Sequence, residues 1–139
     1  MKWKLTAMLI TFFCLSAIVF GQQPYKVVFD ITSGSKDVHE RVIRWSKGIL
    51  ETHADAEVSI VLYGKSLAMA QPGNEATTDN DIKSLLNEKR FQLSVCQMAM
   101  AKHNITKGML IKGVQTVPDG VYEIIVKQAQ GFGYIKVTE

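Results

Sequence analysis

Cys96 is the residue of this chain best suited to covalent chemistry, and the stretch from Phe91 to Ile105, FQLSVCQMAMAKHNI, sets its surroundings. Phe91, Leu93 and Val95 alternate with Gln92, Ser94 and Cys96, the period of a strand. Met98, Ala99 and Ala101 then favour a helix, and Asn104 suits the left-handed position that ends one. The thiol is therefore expected where a strand stops and a helix starts. Unpaired N–H groups and the helix dipole there favour a thiolate over a thiol. The backbone N–H groups of Gln97 and Met98 are the candidates to hold that anion. Ser33 and Ser35, in the turn Thr32-Ser33-Gly34-Ser35, are candidate pocket neighbours with Cys96 as the catalytic residue. A cysteine among apolar residues can equally be an inert packing residue, and thiol reactivity distinguishes the two.

The other chemical signals are weaker. His39, His53 and His103 lack metal-ligand spacing and have no cysteine cluster beside them, so no metal is expected. His103 follows Cys96 by two helical turns, roughly 10 Å of rise, which excludes it as the base within one chain. It belongs instead at the helix C-terminus, where a cation is favoured. The Ser/Thr/Gly turn at 32–35 could cradle a phosphate as flavodoxins hold FMN, but it lacks any fingerprint, so no cofactor is expected.

The chain has 139 residues and a formal charge of +3. Lys2 and Lys4 precede the apolar run Leu5 to Phe20 and then Gly21, the layout of a secretory signal peptide over residues 1–21. The run is shorter than the ~20 residues of a membrane-spanning helix. The expected mature protein, residues 22–139, is periplasmic or secreted, does not touch the membrane and is sized for a single domain. Cys14 leaves with the leader. Cys96 then stands alone, so the thiol is free or pairs between molecules. Without Lys2 and Lys4 the charges nearly balance and no basic block remains, which argues against nucleic acid as a partner.

The remaining elements must position Cys96. Tyr25 to Ile31 and Glu57 to Tyr63 read as strands covered on both faces. Between them Val38, Val42, Trp45 and Ile49 recur as one inward stripe of a helix that Ser35 or Asp37 can cap. Gly64 closes the second strand; Pro72-Gly73 breaks the irregular segment after it. Thr78 or Asp79 can cap a helix with Ile82, Leu85 and Leu86 facing inward. A short strand is expected near Val117, then a helix from Pro118-Asp119-Gly120 carrying Val121, Ile124 and Ile125, stopped by Gly131. Phe132 to Val137 is a last strand. Strands alternating with helices predict an α/β fold: a mostly parallel sheet with helices on both faces.

The run SVCQMAMAKHNI, continued by Leu110, Gly113-Val114, Val117, Gly120-Val121 and Gly131-Phe132-Gly133-Tyr134-Ile135, resembles the DsrE-like family. That family includes the DsrE/DsrF and TusD sulfur-relay proteins and the YchN-like proteins. The resemblance spans the chain from Tyr25 onward. It implies a three-layer α/β/α domain around about five strands, assembled as a homo-oligomer, a trimer or hexamer. It also implies that Cys96 matches the cysteine that receives a persulfide in sulfur-carrying members. The leader departs from the cytosolic relay, so that pathway is not carried over. The resulting expectation is an exported sulfur carrier or sulfurtransferase, with donor and acceptor proteins or small thiols as partners. The alternative is a non-catalytic oligomeric binding module with a structural cysteine. Contacts between copies are expected to bury some of Met69, Phe91, Met98 or Met100.

Overall fold

A computed structural model describes residues 23–73 and 79–139. The expected leader with Cys14, and Thr78 as a helix cap, lie outside the described residues. Five strands, β1 (Lys26–Ile31), β2 (Glu57–Leu62), β3 (Phe91–Cys96), β4 (Gln115–Val117) and β5 (Gly133–Val137), form one sheet in the order β4-β3-β2-β1-β5. Every pairing in it is parallel. The helices are α1 (Lys36–Thr52), α2 (Asp79–Leu86), α3 (Gln97–Lys102) and α4 (Gly120–Ala129), with 3-10 turns at Gly64–Ala70 and Lys107–Met109.

Topology decides which helix covers which face. The chain steps from β1 to β4 in one direction, and right-handed crossovers put α1, α2 and α3 on one face of the sheet. The return from β4 across to β5 puts α4 on the other. Alternate strand residues divide accordingly. Val27, Phe29, Ile31, Ile60, Leu62, Leu93 and Val95 join Val38, Val42, Leu50, Ile82 and Leu85 in the larger core. Val28 and Val61 meet Ile124 and Phe132 in a smaller one beneath α4. Burying each such side chain contributes about 1.5–3 kcal/mol. The second face has one short helix over it, and it is also where the polar residues Asp30, Ser59 and Ser94 are buried.

Several local expectations change. In α1 the buried stripe is Val38, His39, Val42, Ile43, Ser46 and Leu50, whereas Trp45 is 40 % exposed. The period was right, but the inward direction is rotated: α1 packs on β2, and Trp45 is left beside Ile135 of β5. Ser35 occupies the N-cap of α1 without a side-chain cap bond. α4 carries Val121, Ile124 and Ile125 as expected, with Ile124 buried and Val121 and Ile125 facing out. Met69, Phe91 and Met100 are consumed by the protein's own core and are not free for contacts between copies; Met98 alone of that set is exposed. Asn104 does adopt the left-handed conformation (φ 55°), as do Gly64 (φ 68°) and Gly131 (φ 88°).

Candidate functional site

Cys96 ends β3 and is the N-cap residue of α3, with no side-chain cap bond. It is 5 % exposed and free. Its side chain lies on the second face, the one α4 covers, and α4 begins directly above it. A Cβ on Gly120 would stand 3.1 Å from Cys96 Cβ and 3.4 Å from both Tyr63 Cδ1 and Val61 Cγ1. Gly120 has no positive φ to require glycine, so close approach is the reason for it. Asp119 caps this helix by accepting from Val121 N (2.8 Å) and Tyr122 N (3.3 Å), which fixes the first turn of α4 against the thiol.

Tyr63 follows β2 and carries the site across to β1 and β5. Its hydroxyl is pushed well above the ordinary tyrosine range, by burial first and then by the Asp30 carboxylate, with smaller contributions from Tyr134 and Cys96. Asp30 is 3 % exposed. One carboxylate oxygen, Oδ2, accepts from Tyr134 Oη at 2.7 Å and from Lys136 Nζ at 3.2 Å. The other, Oδ1, is buried without a hydrogen-bond partner. The parallel register explains the grouping: Asp30 pairs with Lys136 and Val28 with Tyr134, so all project to the same face. Lys136 Nζ also lies 5.7 Å from the Tyr63 ring centroid, a cation–π contact. Tyr134 is raised too, chiefly by its hydrogen bond to Asp30.

The other residues singled out from sequence lie around rather than in this cluster. Gln97 is exposed and its Nε2 donates to Thr116 Oγ1 of β4 at 3.1 Å. Met98 is 60 % exposed on α3. Ser33 Oγ donates to Glu139 Oε1 at 2.7 Å and accepts from Ser35 N at 3.0 Å. Ser33 and Ser35 therefore belong to the turn after β1. Strand β2 separates that turn from Cys96, about 10 Å across the sheet. His39 is buried in α1, its Nε2 2.8 Å from Ser33 O, and burial holds it below the usual histidine range. Among the described residues no cluster of histidine, cysteine and carboxylates could hold a metal.

Sequence reasoning missed Asp30, Tyr63, Gly120, Tyr134 and Lys136. One signal was available: Asp30 is the lone acid within a mostly apolar strand, and such a residue is rarely buried without a partner. Chemically, the arrangement sets the Cys96 thiol beside the ring of a phenol that stays protonated at neutral pH. Burial first, and the Asp30 carboxylate after it, keep that phenol neutral.

A three-layer α/β/α protein with a five-stranded parallel sheet and a thiol at its carboxyl edge is the class these observations define. The family model of the DsrE/DsrF-like family matches residues 26–137, and the chain belongs to that family, which is associated with sulfur relay. A solved structure titled as a protein of unknown function, MTH1491 from Methanobacterium thermoautotrophicum, is similar to it in fold. The TM-score is 0.74 at 20 % identity, over 81 % of this chain and 98 % of that one. No curated protein matches the chain.

Proposed function

We propose that this protein is an exported sulfur carrier or sulfurtransferase in which Cys96 accepts sulfane sulfur and passes it on. The observation that carries this reading is the free Cys96 at the end of β3, packed beside Tyr63 under the side-chain-free start of α4. In the forward step the Cys96 sulfur attacks the outer sulfur of a donor persulfide, R–S–SH. The new S–S bond forms as the donor S–S bond breaks. The electron pair leaves on R–S⁻, which takes the proton Cys96 has given up, so the products are Cys96–S–SH and R–SH with no net redox change. The neutral Tyr63 ring, packed with Cys96 against the start of α4, adds no negative charge beside the sulfur that carries it. Transfer to an acceptor thiol is the reverse exchange.

Intact-mass measurement on protein purified from its native compartment without reductant tests this. The expected result is an adduct of about 32 Da that disappears on mild reduction, since a sulfinic acid of nearly equal mass would persist. Cys96→Ser should abolish the adduct while keeping the fold. A second reading rests on one observation, the burial of Cys96: a binding module in which the thiol only packs. Iodoacetamide separates the two. Labelling of the folded protein supports the carrier; labelling only after unfolding supports the packing residue.

A further inference from the structure

A concavity lies on the opposite face of the sheet from Cys96, between α1 and the β1–β5 edge. It is a cavity of about 490 Å³, walled by Tyr25, Phe29, Trp45, Ile49, His53 and Ile135. That volume falls in the range of small-molecule sites, which are typically apolar with a few polar groups. The walls are organised as aromatic pairs. Tyr25 and His53 stack at 4.9 Å between centroids, and Phe29 and Trp45 lie 6.0 Å apart. Tyr25, Trp45 and Ile135 are each about two-fifths exposed, so the groove gathers apolar surface that the fold leaves uncovered.

Gly48 also lines this cavity, and it has no internal explanation. It sits well inside the seventeen-residue α1, where glycine is unfavourable relative to alanine. Its φ is not positive, and a Cβ there would meet nothing within 4 Å. Neither backbone conformation nor packing within the chain calls for glycine, whereas a flat body approaching from outside does. Charge indicates what that body carries. Arg44 lines the cavity, no carboxylate does, and its guanidinium has no ion-pair partner among the described residues. The neighbouring Arg41 is already engaged, 6.0 Å from the Trp45 ring centroid and donating to Thr138 O at 3.0 Å.

We infer that this groove binds an aromatic organic acid, its ring lying over Gly48 between Trp45 and the Tyr25–His53 stack and its anionic group on Arg44. The ligand is set by aromatic walls, a floor without a side chain and a free guanidinium. Isothermal titration of the full chain with 2-naphthoate tests it, with 2-naphthalenemethanol as the uncharged ring and decanoate as the ringless acid. Saturable one-to-one binding of 2-naphthoate is expected, with both controls at least about tenfold weaker. Arg44→Gln should weaken 2-naphthoate by about tenfold or more and leave the alcohol unchanged, the signature of one charge-assisted hydrogen bond. Gly48→Leu fills the floor and should abolish binding while thermal melting shows an intact fold. No binding at millimolar 2-naphthoate, equal binding of either control, or undiminished binding to either variant would overturn the inference.

Discussion

At Gly120 a hydrogen stands where any other residue would put a carbon 3.1 Å from Cys96 Cβ. Gly120→Ala should therefore destabilise the protein by about 1–3 kcal/mol in urea unfolding, the cost of overpacking. It should also slow alkylation of Cys96 in the folded state. Tyr63 and Tyr134 are held protonated beyond the ordinary tyrosine range. Because the folded state keeps protons that the unfolded state loses above about pH 10, their stabilisation is complete below that pH and fades as it rises. Ultraviolet titration should show both ionising late. Asp30→Asn should bring Tyr134 down more than Tyr63, since Asp30 is the leading cause for Tyr134 but burial is for Tyr63. His39 has the opposite sense. Buried and neutral, it resists a proton that the unfolded chain accepts below about pH 6.5, so acid should cost stability there. The slope from this group is at most ~1.4 kcal/mol per pH unit, and denaturant midpoints from pH 7 down to 5 would measure it.

Among the elements, α4 bears directly on the thiol. Asp119→Ala removes the acceptor for Val121 N and Tyr122 N, and should cost about 1 kcal/mol in thermal or urea unfolding. If the first turn of α4 shields Cys96, the same change should speed its alkylation. Gly48→Ala in α1 points the other way, toward about 0.5–1 kcal/mol of added stability, because alanine meets nothing there. How far such elements can be read from sequence differs between them. The strand ending at Cys96, the left-handed Asn104 and the stop at Gly131 are local statements about period and backbone freedom, and residues state them plainly. The inward side of α1 is not local. Val38, Val42, Trp45 and Ile49 fit one stripe, yet Trp45 lies at the sheet edge because β5 extends past β1 where no helix covers it. The Asp30 cluster was hidden for the same reason: its members come from the first and last strands, and only the return crossover makes them neighbours.

At the scale of the whole molecule, Val121, Tyr122 and Ile125 of α4 are each more than half exposed. We expect this surface to be covered in a homo-oligomer, with light scattering at micromolar concentration giving a mass above that of one chain; a monomer would count against it. The sheet order carries a consequence for how the molecule comes into being. β1 pairs with β2 on one side and, on the other, with β5, the last strand of the chain. A nascent chain thus carries Lys26–Ile31 with one hydrogen-bonding edge open until residues 133–137 have been made. Closing so long a loop is entropically expensive and places this pairing late. Until then Asp30 lacks both Tyr134 and Lys136, and the open edge is a template for pairing with other chains. A fragment ending before Gly133 should therefore aggregate rather than remain a soluble, partly folded species, and pulse-labelled hydrogen exchange should find the β1–β5 amides protected last. The Asp30 cluster beside Tyr63 would then be complete only with the final act of folding.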